Sequence, residues 1–131
     1  MVASRGTADG LASALILATS SAVKGMETYI CFPFGGTKLL TKASANSFTS
    51  FLELEPIKEH FEQLLSTAGM PPLSDMLKQA KESGVKTHVC SPTVGLFGTK
   101  KEDLVGVVDD VIGASGFLQL ASDPDALTLF I

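Results

Sequence analysis

The chain is 131 residues long, the size of one domain with room for a hydrophobic core that needs no disulfide or structural metal. It is 45% hydrophobic and 18% charged, with no tryptophan and a formal net charge of -4, and its ten basic residues are scattered apart from Lys100 and Lys101. These values exclude the basic footprint of a nucleic-acid binder, and two cysteines with two distant histidines lack the spacing of a zinc site.

Val2-Ala3-Ser4 reads as the end of a short strand, and Gly6-Thr7-Ala8-Asp9-Gly10 as a turn in which Thr7 or Asp9 caps a following helix. From Leu11 to Lys24 alanine, leucine and isoleucine fall on nearly every side, as a helix packed on a sheet requires, and Gly25 is placed to end it. Charge or glycine interrupts this and every other apolar stretch before the roughly 18 residues of a membrane span. The N-terminus lacks a basic region followed by a long apolar one, so the expected location is the cytoplasm. Glu27 to Phe34, ETYICFPF, has the continuous apolar character of a parallel strand covered on both faces, with Pro33 at its end. Gly35 and Gly36 allow close backbone approach, and Thr37 to Lys42 suits a short helix.

Asn46 to Glu55 shows no period and reads as a loop or insertion, whereas Pro56 opens a helix in which Ile57, Phe61, Leu64 and Leu65 recur at helical spacing up to Gly69. After Pro71 and Pro72, Leu73, Met76, Leu77 and Ala80 form a second amphipathic stripe that closes at Glu82-Ser83-Gly84. Val85 to Cys90 is the next strand, Val107 to Ile112 a short one, Gly113 to Ser122 a helix and Ala126 to Ile131 a last apolar strand. Strands alternating with helices predict one α/β domain over residues 1–131. The expected layout is doubly wound and flavodoxin-like, with a five-stranded, mostly parallel sheet and helices on both faces.

Cys90 ends a run rich in β-formers and precedes the small, turn-forming residues SPTVG. Ligands in such a sheet collect beyond the carboxyl ends of the strands, where this thiol is expected. If Pro92 opens a helical turn over Pro92 to Leu96, its free backbone N–H groups face a sulfur anion. Lys86, His88 and Cys90 point to one face of the strand, and Val85, Thr87 and Val89 to the other. A protonated His88 on that face could support the thiolate, but it lies about 7 Å along the strand from Cys90, which favours a local polar contact as its expected use. A strand-end cysteine taken alone is more often packed than reactive. Cys31, inside an apolar run, is expected to be a core thiol.

CSPTVGLFGTKKEDL at 90–104 resembles the segment of DsrE/DsrF-like proteins in which a cysteine is followed by a short methionine-rich turn, a glycine and a Lys-Lys-Glu-Asp-Leu helix start. CFPFGGTKLL at 31–40 is similar to the aromatic segment of that family, and GTAD at 6–9 to its first βα turn. VIGASGF at 111–117 and the terminal strand extend the likeness to most of the chain, residues 43–56 excepted. The resemblance implies a flavodoxin-like subunit of a trimer or hexamer whose cysteine, here Cys90, carries sulfur as a persulfide. A peroxiredoxin-like label sometimes given to such relatives has no thioredoxin fold or resolving-cysteine motif behind it here. Two departures stand out: Gly35 replaces a frequent tryptophan, and Gly95 and Phe97 replace frequent acidic and methionine residues. Loss of the indole is expected to open space beside the thiol.

The resulting expectation is a cytosolic sulfur carrier, sulfurtransferase-like if it turns over, with Cys90 as nucleophile. Ser91 and Thr93 lie on the thiol side, and Gly6, Thr7, Phe34, Gly35 and Gly36 form the opposite wall. No cofactor or metal is expected. The partners are a small sulfur donor or a relay protein of a membrane-independent sulfur-oxidation machinery, together with further copies of the chain. Asp9 is expected to cap the first helix. In a 2-1-3-4-5 strand order the strands of Cys31 and Cys90 flank the first strand about 10 Å apart, which predicts no bridge between the two thiols. One alternative is a regulatory module that binds a small anion or nucleotide in the same crevice, although GTADG has neither phosphate-loop nor dinucleotide spacing. Another is a structural subunit that acts through its partners.

Overall fold

The computed structural model describes residues 1–45, 63 and 67–131. Thr7 has extended backbone, and its Oγ1 accepts a hydrogen bond from Gly10 N at 3.4 Å, which caps helix α1, Ala8–Val23. Asp9 therefore sits within the first turn, where a carboxylate suits the positive end of the helix, and Thr7 is the cap. Gly25, at φ +83, takes the left-handed conformation that follows the helix end.

Three strands form a parallel sheet in the order β1-β2-β3: β1 is Tyr29–Phe32, β2 is Lys86–Cys90 and β3 is Asp110–Ile112. The helices after β1 are α2, Gly35–Leu39, α3, Lys42–Ala45, and α4, Leu73–Glu82. After β2 come α5, Ser91–Leu96, and a 3-10 turn, Lys101–Asp103; α6, Ala114–Ala121, follows β3. The loop predicted at 46–55 and the helix predicted from Pro56 through Ile57, Phe61, Leu64 and Leu65 lie outside the described residues.

Alternation along the strands divides the sheet into two unlike faces. Ile30, Phe32, Thr87 and Val89 are fully buried against α1 and α4, with Leu11, Ala14, Leu15, Ala18, Met76, Leu77 and Ala80 completing the core. Alanines at the contact let the two helices pack close together. Each large side chain buried there, Phe32 or Leu15 for example, contributes about 1.5–3 kcal/mol. The other face carries Tyr29, Cys31, Lys86, His88 and Cys90 and is less completely covered. Helix α6 approaches this face, with Ile112 Cβ 3.8 Å from the position of a methyl group at Gly116.

Among the described residues the sheet has three of the five strands expected. The segments expected to be the first and last strands join the layer only through isolated parallel bridges, Val2 to Cys31 and Val2 to Phe130. Ala3 N donates to Cys31 O at 2.9 Å and Ile131 N to Val2 O at 2.7 Å, but Gly6 and the cap at Thr7 end the first segment before a strand can extend. The expected order is corrected. The N-terminal segment lies on the outer side of β1, so β1 pairs directly with β2 and the two cysteine-bearing strands are neighbours.

Candidate functional site at the carboxyl end of β2

Cys90 is the last residue of β2 and the N-cap of α5, with extended backbone at φ -79 and ψ 123. Pro92 falls in the first turn, where its missing N–H costs nothing and its fixed φ favours the helix. The Cys90 side chain makes no capping bond and is partly exposed, so its sulfur is available to a ligand. At the far end of α5, Leu96 and Phe97 are exposed. Phe34, just after β1, is exposed as well.

The opposite wall is built by backbone contact. A methyl group at Gly35 would lie 2.6 Å from both the N and Cα of Gly6, and one at Gly36 would lie 2.2 Å from Ala3 O. Only glycines let the 34–36 turn lie this close to the chain that leads into α1. The expectation that a missing indole opens space is therefore corrected, because the Gly6 backbone fills the position a side chain at 35 would need. Phe34, at φ 46, is the one described residue other than glycine with positive φ, and its side chain is turned outward at 62% exposure. Phe34 N donates to Thr93 Oγ1 at 3.0 Å, which ties this turn to the first turn of α5.

The predicted site residues thus fall into two groups. Gly6, Gly35, Gly36 and Phe34 gather with Ser91 and Thr93 at the carboxyl ends of β1 and β2. Thr93 is 1% exposed and its hydroxyl already serves Phe34, so it braces the wall, while Ser91 is exposed. Thr7 is nearby in the chain, but its hydroxyl is used as the cap of α1.

Sequence reasoning places His88 on the Cys90 face of β2 but does not bring Cys31 beside them. The register pairs Cys31 with His88 directly across β1 and β2, and Cys90 lies two residues further along β2 on the same face. Burial, and then the negative charge of Cys90, push the Cys31 thiol up to about 11. Burial holds His88 below its ordinary value, against the opposing pull of Asp109 and Asp110. Its ring stacks on Tyr29, with centroids 6.0 Å apart, while both ring nitrogens are closed off without a hydrogen-bond partner among the described residues.

A separate cavity of about 560 Å³ opens at the other end of the strands, where Met26 and Tyr29 face Phe117, Leu120 and Leu127. It is lined by neither cysteine. Among the described residues no helix is long and apolar enough to cross a membrane.

The sequence model of the DsrE/DsrF/DrsH-like family matches residues 50–130, a span that includes β2, Cys90 and α5. No curated protein matches the chain.

Proposed function

The chain belongs to the DsrE/DsrF/DrsH-like family, and from that premise we propose that it is a sulfur carrier whose Cys90 accepts sulfane sulfur as a persulfide. The family points to sulfur relay in general. The observation that carries the reading to a residue is the position of Cys90: a partly exposed thiol without a capping bond, at the carboxyl end of the central strand. The Cys90 thiolate attacks a donor's sulfane sulfur, and the leaving group departs with the bonding pair. Ser91 N and Thr93 N, in the first turn of α5, are the backbone donors nearest along the chain to the resulting charge, whereas Pro92 between them offers no donor. The exposed side chain of Phe34 offers an apolar contact to a docking relay protein.

The carrier assembles with copies of itself in the cytoplasm. Support for assembly comes from Leu118, Leu127 and Phe130, large apolar side chains left exposed near the carboxyl end of the chain. Intact mass after incubation with polysulfide tests the chemistry. A reducible gain of sulfur in the wild type and in Cys31→Ser, absent from Cys90→Ser, is the expected result. An undiminished gain in Cys90→Ser overturns the assignment.

A further inference from the structure

We propose that Cys31 is a second sulfur station, which takes the sulfane sulfur from Cys90 of the same chain while His88, level with Cys31 on the neighbouring strand, carries the proton. This rests on the carrier reading of Cys90 and extends it to the step after loading.

The geometry begins with the register. Cys31 is level with His88 on the neighbouring strand, and Cys90 is two residues further on along the same face. Strand spacing of about 4.8 Å and a rise of about 3.3 Å per residue put the two Cα atoms about 8 Å apart. That exceeds the roughly 4.4–6.8 Å of a disulfide, consistent with two free thiols. A persulfide changes the reach, because one added sulfur extends the Cys90 side chain by about 2 Å, the length of an S–S bond. The separation is too wide for a direct bond and suits the hand-over of a sulfur atom.

Cys31 is 7% exposed, so a donor of any bulk meets Cys90 first. Its thiol keeps its proton at neutral pH because burial and the charge of Cys90 push it up to about 11, and attack therefore needs a base close by. His88 is the residue directly opposite. Stacking on Tyr29, which precedes Cys31 by two residues on β1, draws the imidazole toward the strand of Cys31, on the side away from Cys90. Its two shielded nitrogens have no partner among the described residues, a costly state for an imidazole that only fills space. Burial keeps the ring neutral and able to accept a proton.

In the step, the electron pair of Cys31 Sγ attacks the outer sulfur of the Cys90 persulfide and forms a new S–S bond. The S–S bond at Cys90 breaks, and its pair leaves on Cys90 Sγ. The Cys31 proton passes to His88 and then to Cys90 Sγ. The products are a Cys90 thiol and a Cys31 persulfide, with no outside oxidant or reductant. Cys90 is then free to load again, and the stored sulfur is sheltered from solvent.

The test is a time course with wild-type protein and polysulfide below one equivalent, quenched by alkylation, with the sulfur located by peptide mass mapping. Sulfur is expected on Cys90 first and on Cys31 later, at a rate that does not change when the protein is diluted. In Cys90→Ser, Cys31 is expected to stay unloaded over the same interval. His88→Gln lowers the ratio of transfer rate to loading rate about a hundredfold. Sulfur that loads on Cys90 and never reaches Cys31 overturns this proposal alone. Loading of Cys31 at the wild-type rate in Cys90→Ser, or a transfer rate proportional to protein concentration, also overturns it. Sulfur on neither cysteine overturns the carrier reading and this proposal together. Because the main observation is made on wild-type protein, it does not depend on any variant folding.

Discussion

Substituting alanine for Gly35 tests how the wall of the site is built. The new methyl group would sit 2.6 Å from Gly6 N and Gly6 Cα and 3.3 Å from Ser4 O. Carbon atoms in ordinary contact are about 3.5–4.0 Å apart, so the two turns must separate by about 1 Å. Every atom met is main chain, and no side chain can rotate away. Overpacking of this kind costs about 1–3 kcal/mol, and the upper end is expected where neither side can yield. The same displacement stretches the bond from Phe34 N to Thr93 Oγ1, now 3.0 Å. Its loss adds about 1 kcal/mol. A total near 4 kcal/mol is a large part of the roughly 5–15 kcal/mol that holds a domain folded. In urea the unfolding midpoint should fall with the slope unchanged, and alkylation of Cys90 should speed up as the mouth loosens. Gly95→Ala is the control: it lies in α5 with nothing within 4 Å of the new methyl group, and helix propensity predicts stabilisation by up to about 1 kcal/mol. A Gly35→Ala protein within about 0.5 kcal/mol of the wild type would refute the close approach.

Alkylation of Cys31, followed by peptide mapping, should accelerate about tenfold per pH unit from neutrality towards the value of about 11 that burial and the charge of Cys90 impose. Cys90→Ser removes one of those two causes, so the midpoint should move down; an unchanged midpoint contradicts the diagonal placement of the thiols. His88 is held below its ordinary value by burial, so the unfolded chain binds its proton more readily than the folded one. Its contribution to stability is therefore complete above about pH 6.5 and is lost as pH falls through that value, with a slope of at most about 1.4 kcal/mol per unit. Thermal unfolding between neutral and mildly acidic pH should show a steeper loss in wild type than in His88→Gln, and parallel curves would count against a buried neutral imidazole.

Local signals located most of the elements. The apolar run ETYICFPF contains β1, the stripe from Leu73 to Ala80 lies in α4, and the alternation along KTHVC assigns the two faces of β2 as the burial pattern has them. Errors of one turn at helix starts have local causes. Thr7 competes with Asp9 for the cap, and its hydroxyl is placed one residue before the first helical residue, so α1 begins at Ala8 and not near Leu11. The short helix expected from Thr37 begins at Gly35 because the helical turn is held from outside the segment, by Thr93 Oγ1 on Phe34 N and by the Thr37 hydroxyl, which donates to Phe32 O.

Strand order had no such local source. Which strand lies beside which depends on contacts between segments dozens of residues apart, and a familiar order was assumed where the hydrogen bonds of Cys31 provide a different one. Cys31 N donates to Met1 O and Cys31 O accepts from Ala3 N, while β2 occupies the other edge of β1. That arrangement changes the meaning of three residues at once. Cys31, legible in sequence only as a core thiol, becomes the diagonal neighbour of Cys90 on one face. His88, legible as support for the thiolate or as a local polar group, becomes the residue level with Cys31. Gly35, legible as the loss of an indole, becomes the position that lets Gly6 approach and close the wall. Cys90 itself was visible because a strand ending in small residues and proline is a local pattern. Its surroundings were not, since they are set by register across the sheet, and a one-residue slip of β1 against β2 would turn Cys31 to the opposite face and remove it from the site.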